Sequence, residues 1–271
     1  MLSKLIRHEF KSTWKMIAIL NLFIAVITGL GVLTIVSKIW NSESEHVVTF
    51  VVLSAVFYYI FIIVVSLAAS IYIAVRYYKN LYTDEGYLMH TLPVTKHDLL
   101  ISKTLTGSVY MLITSVMIML SFIFMGLSIF YNLAPTEQNE IITSLYYEAW
   151  PEVKQFFGAT IGVNIVLFTF YYLLSCISSV LMSFCAISVG QLFTKHKVMG
   201  AIFCYIGLYV VLQLVASFIT VPFTGVSLLD QNLVPALFVG MMAIEIIATA
   251  VLCLIFYVVS HYVMNKRLNL D

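Results

Sequence analysis

Side chains able to do chemistry are sparse in this sequence, and the densest set lies between Arg76 and Lys103. That stretch carries the basic residues Arg76, Lys79, Lys96 and Lys103 and the acids Asp84, Glu85 and Asp98. Charges of both signs, interleaved with the apolar Tyr87, Leu88 and Leu92, suit recognition of a protein partner, because an apolar cluster beyond what solubility needs marks an interaction surface. The stretch also supplies its own punctuation. Asp84 or Thr83 can cap a short helix through Glu85, Tyr87, Leu88 and Leu92, and Pro93 stops it, since proline has no N–H and pushes its neighbour out of helical angles. Thr95 with Asp98 three residues on reads as a capping box that opens the next helix. Gly86 would let the short helix flex or approach a partner closely, having no side chain to clash. The whole reads as a docking knob.

A second kind of chemistry rests on polar groups inside apolar runs, where an ionisable side chain is costly and usually faces a bundle interior or a water-filled path. Glu245 is the acid of that kind, with Met241, Met242, Ala248 and Thr249 at its three- and four-residue helix neighbours. It reads either as part of a translocation path or as a group held by Gln213 or Asn164. Asn21, Asn164, Gln191 and Gln213 read as interhelical glue.

Reaction chemistry has little footing. No Gly-rich loop ending in Gly-Lys-Ser/Thr occurs, His8-Glu9 lacks the second histidine of a zinc pair, and no G-x-S-x-G elbow is present. The histidines at 8, 46, 90, 97, 196 and 261 are scattered, and Cys176, Cys185, Cys204 and Cys253 sit in apolar runs without paired spacing, as packing residues do. The expectation is a chain that is not an enzyme, binds no metal or cofactor itself and has no nucleic-acid partner.

The elements that position these groups follow from composition. With 62% hydrophobic and 10% charged residues and a mean hydropathy of +1.02, the 271-residue chain reads as a multi-pass membrane protein. Residues 1–15 place Leu2, Leu5, Ile6, Phe10 and Trp14 on one helical face and Lys4, Arg7, His8, Lys11 and Lys15 on the others, an interfacial amphipathic helix. The apolar run behind it is too long for a signal core, so this helix is expected to stay attached. Apolar spans follow at about 16–37, 47–75, 104–130, 156–193, 198–220 and 236–260, each long enough for a ~30 Å hydrocarbon core. The fourth is awkward, about 57 Å as one straight helix. Parity decides for a single crossing, because Lys195-His196-Lys197 and Lys266-Arg267 then both lie on the cytoplasmic side. On that arrangement 12 of the 14 Lys and Arg residues are cytoplasmic, with Lys38 and Lys154 outside, so both termini are expected inside. The outer loop 131–155 carries Tyr146, Tyr147 and Trp150, which suit a short interfacial helix. The Pro-bounded loop 221–235 reads as dipping back into the membrane.

The run from Tyr78 through Asp84, Glu85, Gly86, Tyr87 and Leu88, followed by Thr91-Leu92-Pro93-Val94 and Lys96 to Lys103, resembles the cytoplasmic loop of permease subunits of type 2 ABC transporters from Gram-positive bacteria. The opening Leu2 to Lys11 resembles the N-terminus of the same proteins. The resemblance implies an all-α membrane protein with one transmembrane domain over residues 1–271. It has an N-terminal elbow helix, six membrane helices, a coupling helix between the second and third, and a re-entrant segment between the fifth and sixth. It further implies a plasma-membrane exporter of a drug, peptide, lipid or glycan, in which a separate ATPase that uses ATP and Mg docks on residues 76–103. A second permease subunit, the same chain or a relative, completes the pore. Carried over by residue, Asp84, Glu85, Gly86, Tyr87, Leu88, Thr91, Leu92 and Pro93 form the coupling surface. Two other readings are an ion-gradient carrier built on Glu245, and a non-transporting immunity or sensor subunit.

Overall fold

The computed structural model describes residues 2–36, 45–83, 86, 94–133, 135–157, 161–193, 196–229 and 234–266. These residues form helices and connections, with no strand among them. In order they are α1 (Leu2–Val36), α2 (Glu45–Tyr82), α3 (Lys96–Asn132), α4 (Pro135–Ser144), a π-helical turn Leu145–Ala149, α5 (Trp150–Phe157), α6 (Ile161–Gly190), α7 (Lys197–Leu229) and α8 (Val234–Lys266). Six of them, α1, α2, α3, α6, α7 and α8, are long and apolar enough to cross a membrane. In hydrocarbon every backbone polar group must be satisfied within its own segment, which makes helices even of the β-branched runs in α2.

The amphipathic start and the first span form one helix. Nothing between Lys15 and Met16 breaks the backbone pattern, and α1 runs 35 residues without interruption. The buried stripe of α1 is Glu9, Thr13, Ile17, Asn21, Ile24, Thr28 and Ile35, at steps of three, four or seven. Trp14, expected on the apolar face, is instead 56% exposed. The fourth span is also shorter than expected. Residues 156–157 end the separate α5, and α6 is a single 30-residue helix from Ile161 to Gly190, about 45 Å long at ~1.5 Å per residue. Ser175, Ser179 and Ser183 do not break it, because each hydroxyl donates to the carbonyl three residues back in the same helix. The loop expected to begin at Val221 differs as well: α7 continues helically through Pro222 to Leu229. Proline inside a membrane helix is tolerated where local adjustment re-satisfies the freed carbonyl.

The chain divides into two compact units, and the division cuts across α1, α2 and α3. The first comprises Met1–Glu9, Ile73–Val109 and Val153–Asp271. Within it α6 packs on both α7 and α8, around Leu181, Met182 and Cys185 of α6 and Cys253 and Phe256 of α8. Cys176, Cys185 and Cys253 are buried free thiols and Cys204 is half-buried, in keeping with packing residues. Gly190 makes the close turn from α6 to α7 possible, since a Cβ there would sit 2.5 Å from the backbone of Ala201.

The second unit comprises Phe10–Tyr72 and Tyr110–Glu152. Here α1 and α3 are joined by a seam of neutral polar groups. Asn21 Nδ2 reaches Thr114 Oγ1 at 3.5 Å, and Thr28 Oγ1 and Ser121 Oγ share a hydrogen bond of 2.6 Å. Both pairs are 93 residues apart in sequence, so the two helices run parallel, as the first and third of alternating spans must. Tyr58 of α2 adds its hydroxyl to Ser121 at 2.5 Å. At the end of α3, Gln138 of α4 donates its amide to the carbonyls of Phe130 and Leu133, at 3.1 and 2.9 Å, satisfying acceptors a helix end leaves open. Tyr146, Tyr147 and Trp150, in the connection from α3 to α6, are exposed.

Candidate functional site

Of the residues expected to form the coupling surface, Asp84, Glu85, Tyr87, Leu88, Thr91, Leu92 and Pro93 lie outside the described residues. Gly86 is described and buried. Its N–H donates to Thr83 O at 2.7 Å, and a Cβ at position 86 would stand 2.5 Å from Leu81 O. The close approach that requires glycine is therefore to its own chain. Thr83, a candidate N-cap, instead donates its hydroxyl back to Lys79 O at 2.5 Å, serving the end of α2.

The capping box at the start of α3 has the expected partners. Thr95 Oγ1 accepts the Asp98 N–H at 3.2 Å and donates to Asp98 Oδ2 at 2.8 Å. The cap occupies one of the orphan donors of the first turn, and the acid there favours the helix dipole.

The two ends of the 76–103 stretch converge on one carboxylate. Glu9 of α1 accepts from Lys103 Nζ at 2.6 Å on Oε1 and from Arg76 Nη2 at 3.4 Å on Oε2. Glu9 is 3% exposed and Lys103 5%, so this is a buried ion cluster. Taking such charges out of water is costly, and only complete pairing offsets it. Sequence reasoning missed Glu9, yet a signal existed. It is the acid among four Lys and Arg residues in 1–15, and it lies four residues after Leu5 and three after Ile6, on the apolar face. A charge on a face bound for burial has to meet an opposite charge.

Further contacts within the same unit tie the end of α2 and the start of α3 to α6 and α8. Tyr82 donates its hydroxyl to Ser188 Oγ of α6 at 2.9 Å, and Tyr77 shares a 3.2 Å bond with the same oxygen. The Tyr77 ring stacks on Phe184 with centroids 3.8 Å apart and planes 9° from parallel. Lys96 Nζ donates to Met264 O at 3.0 Å, near the end of α8. Tyr257 and His97 are hydrogen-bonded through the hydroxyl and Nδ1, and the His261 ring stacks on Tyr257. Thus His97 and His261, scattered in sequence, lie side by side. The groups Glu9, Arg76, Tyr82, Lys103, Ser188 and Met264 come from the start of α1, the end of α2, the start of α3, the end of α6 and the end of α8. That gathering agrees with α6 crossing once.

The intramembrane candidates lie on three helices, α6, α7 and α8. Gln213 is exposed and donates to the Tyr209 hydroxyl of its own helix at 3.1 Å. Asn164 is buried near the start of α6. Glu245 is half-buried on α8, within electrostatic reach of Tyr171 of α6. Among the described residues no group of three or more His, Cys, Asp and Glu side chains is arranged to hold a metal.

The described ends of the 76–103 stretch are joined by hydrogen bonds and ion pairs to α1, α6 and α8. No protein-family model, curated protein or solved structure matches this chain.

Proposed function

We propose that the chain is the membrane permease subunit of an ATP-driven exporter, with a separate ATPase docking on residues 76–103. The observation that carries this reading is the Glu9 cluster. A bare linker between two spans needs no buried anchor, whereas a lever needs a stiff root, and Arg76 and Lys103 root both ends of the stretch on α1. Support also comes from the six apolar helices, the likeness of residues 78–94 to a permease coupling loop, and the basic residues gathered at predicted cytoplasmic ends.

On this reading the termini and the 76–103 stretch are cytoplasmic. The partner ATPase binds ATP and Mg and closes, the stretch moves, and α1, α6 and α8 follow. A second permease, a copy or a relative, completes the path, and the charged first turns of α1 act as the elbow. Glu245 is held in reserve as a path residue.

The test is affinity purification of the tagged full-length chain from its own host in mild detergent. A stoichiometric co-eluting subunit with a Walker motif and vanadate-sensitive ATP hydrolysis is expected. The doubly substituted Asp84→Lys, Glu85→Lys chain should lose that subunit, and an unchanged melting temperature of the chain itself separates lost docking from lost folding. A clean, inactive homo-oligomer, reproduced in a gentler extraction, overturns the proposal in favour of a carrier centred on Glu245.

A further inference from the structure

The second compact unit contains a cavity of about 590 Å³ between α1, α2 and α3, inside the roughly 300–1,000 Å³ range of ligand sites. Its wall includes Leu30 of α1, Phe57 and Tyr58 of α2, and Phe122, Met125 and Gly126 of α3. Among the described residues no charged side chain lines it. Four hydroxyl-bearing side chains belong to its wall, Thr34, Ser54, Tyr58 and Tyr59; of these Tyr58 is bonded to Ser121 and Thr34 donates to Gly31 O at 2.7 Å. The rest of the wall is aliphatic, aromatic, Met and Gly, so shape and apolarity dominate what fits.

All three walls are helices long and apolar enough to cross a membrane. An empty space of this size forfeits dispersion contacts over its whole lining, and an apolar space does not fill with water. The bilayer offers hydrocarbon chains. Two glycines shape the space. A Cβ on Gly126 would meet nothing within 4 Å, whereas one on Gly31 would touch Met125 Sδ at 3.0 Å. The wall is thus open at Gly126 and close-packed at Gly31.

We propose that this cavity is a binding site for one acyl chain of a membrane lipid, held among α1, α2 and α3 of a single copy of the protein. The site is distinct from the 76–103 stretch and does not rest on the transport reading.

The experiment reconstitutes the full-length protein in nanodiscs containing a phosphatidylcholine with a diazirine in one acyl chain. Irradiation and peptide mass spectrometry then map the labelled residues. Label should concentrate on peptides covering 27–35, 50–61 and 122–129. It should fall to background there in Gly126→Leu, which fills the space and replaces a helix-weakening glycine. Gly207→Leu, whose added side chain also meets open space but on α7, should leave the pattern intact. Leu30→Trp is the second filling variant should Gly126→Leu not fold. Uniform labelling of exposed helix faces, unchanged by either filling variant, overturns the proposal.

Discussion

Two polar arrangements connect α1 to α3, one in each compact unit, and they are built on opposite principles. In the first unit a buried carboxylate meets two cations at Glu9, Arg76 and Lys103. In the second, an amide and three hydroxyls form the seam of Asn21, Thr114, Thr28 and Ser121. The charged cluster is all or nothing, since removing one member strands a buried charge. Each neutral bond in the seam is worth little, because a helix alone in the membrane finds other partners for its hydroxyls, including its own carbonyls. Thr28 does this already, donating to Ile24 O at 2.7 Å. The contrast separates a rigid anchor from a forgiving contact.

The largest test of that contrast is Glu9→Ala. It should cost about 3–5 kcal/mol, read as a lowered midpoint of unfolding in mixed micelles. Pairing it with Lys103→Met should recover part of the loss, since the deeply buried cation is then removed with its partner, while Arg76, with a side chain 20% exposed, keeps some access to water. If the double variant is as unstable as the single one, the cluster's worth is not electrostatic. Gly190→Ala comes next, at about 1–3 kcal/mol, because its methyl would meet the Ala201 backbone rather than a yielding side chain. A size-exclusion profile and melting curve would show it. Smallest is Ser121→Ala in the seam, about 0.6–1.7 kcal/mol. A loss as large as that of Glu9→Ala would erase the distinction between the two arrangements.

Much of the architecture is legible in the sequence because hydrocarbon imposes one rule on the backbone. The six spans follow from apolar length alone, and the Thr95–Asp98 box from capping chemistry. What the sequence hides is where helices do not stop. Charge pattern changes at Lys15 and a proline stands at 222, yet α1 and α7 run on, because a change in surface chemistry leaves the hydrogen-bond ladder intact. The partners of Glu9 were hidden for another reason: they lie 67 and 94 residues away, and no local pattern pairs them with it. Thr83 shows a third limit, since a threonine can close one helix as readily as open another, and its hydroxyl turned back to Lys79 O.

The common offset of 93 residues between Asn21 and Thr114 and between Thr28 and Ser121 bears on how this chain can change length. Losing or gaining a single residue between Asn21 and Thr28 would turn everything beyond it by about 100°, carrying Thr28 away from Ser121 and Tyr58. A whole heptad added to both helices would restore the facing pairs with a drift of only about 20°. Insertions and deletions among homologous chains should therefore spare 21–28 and 114–121 and collect in the connections between helices.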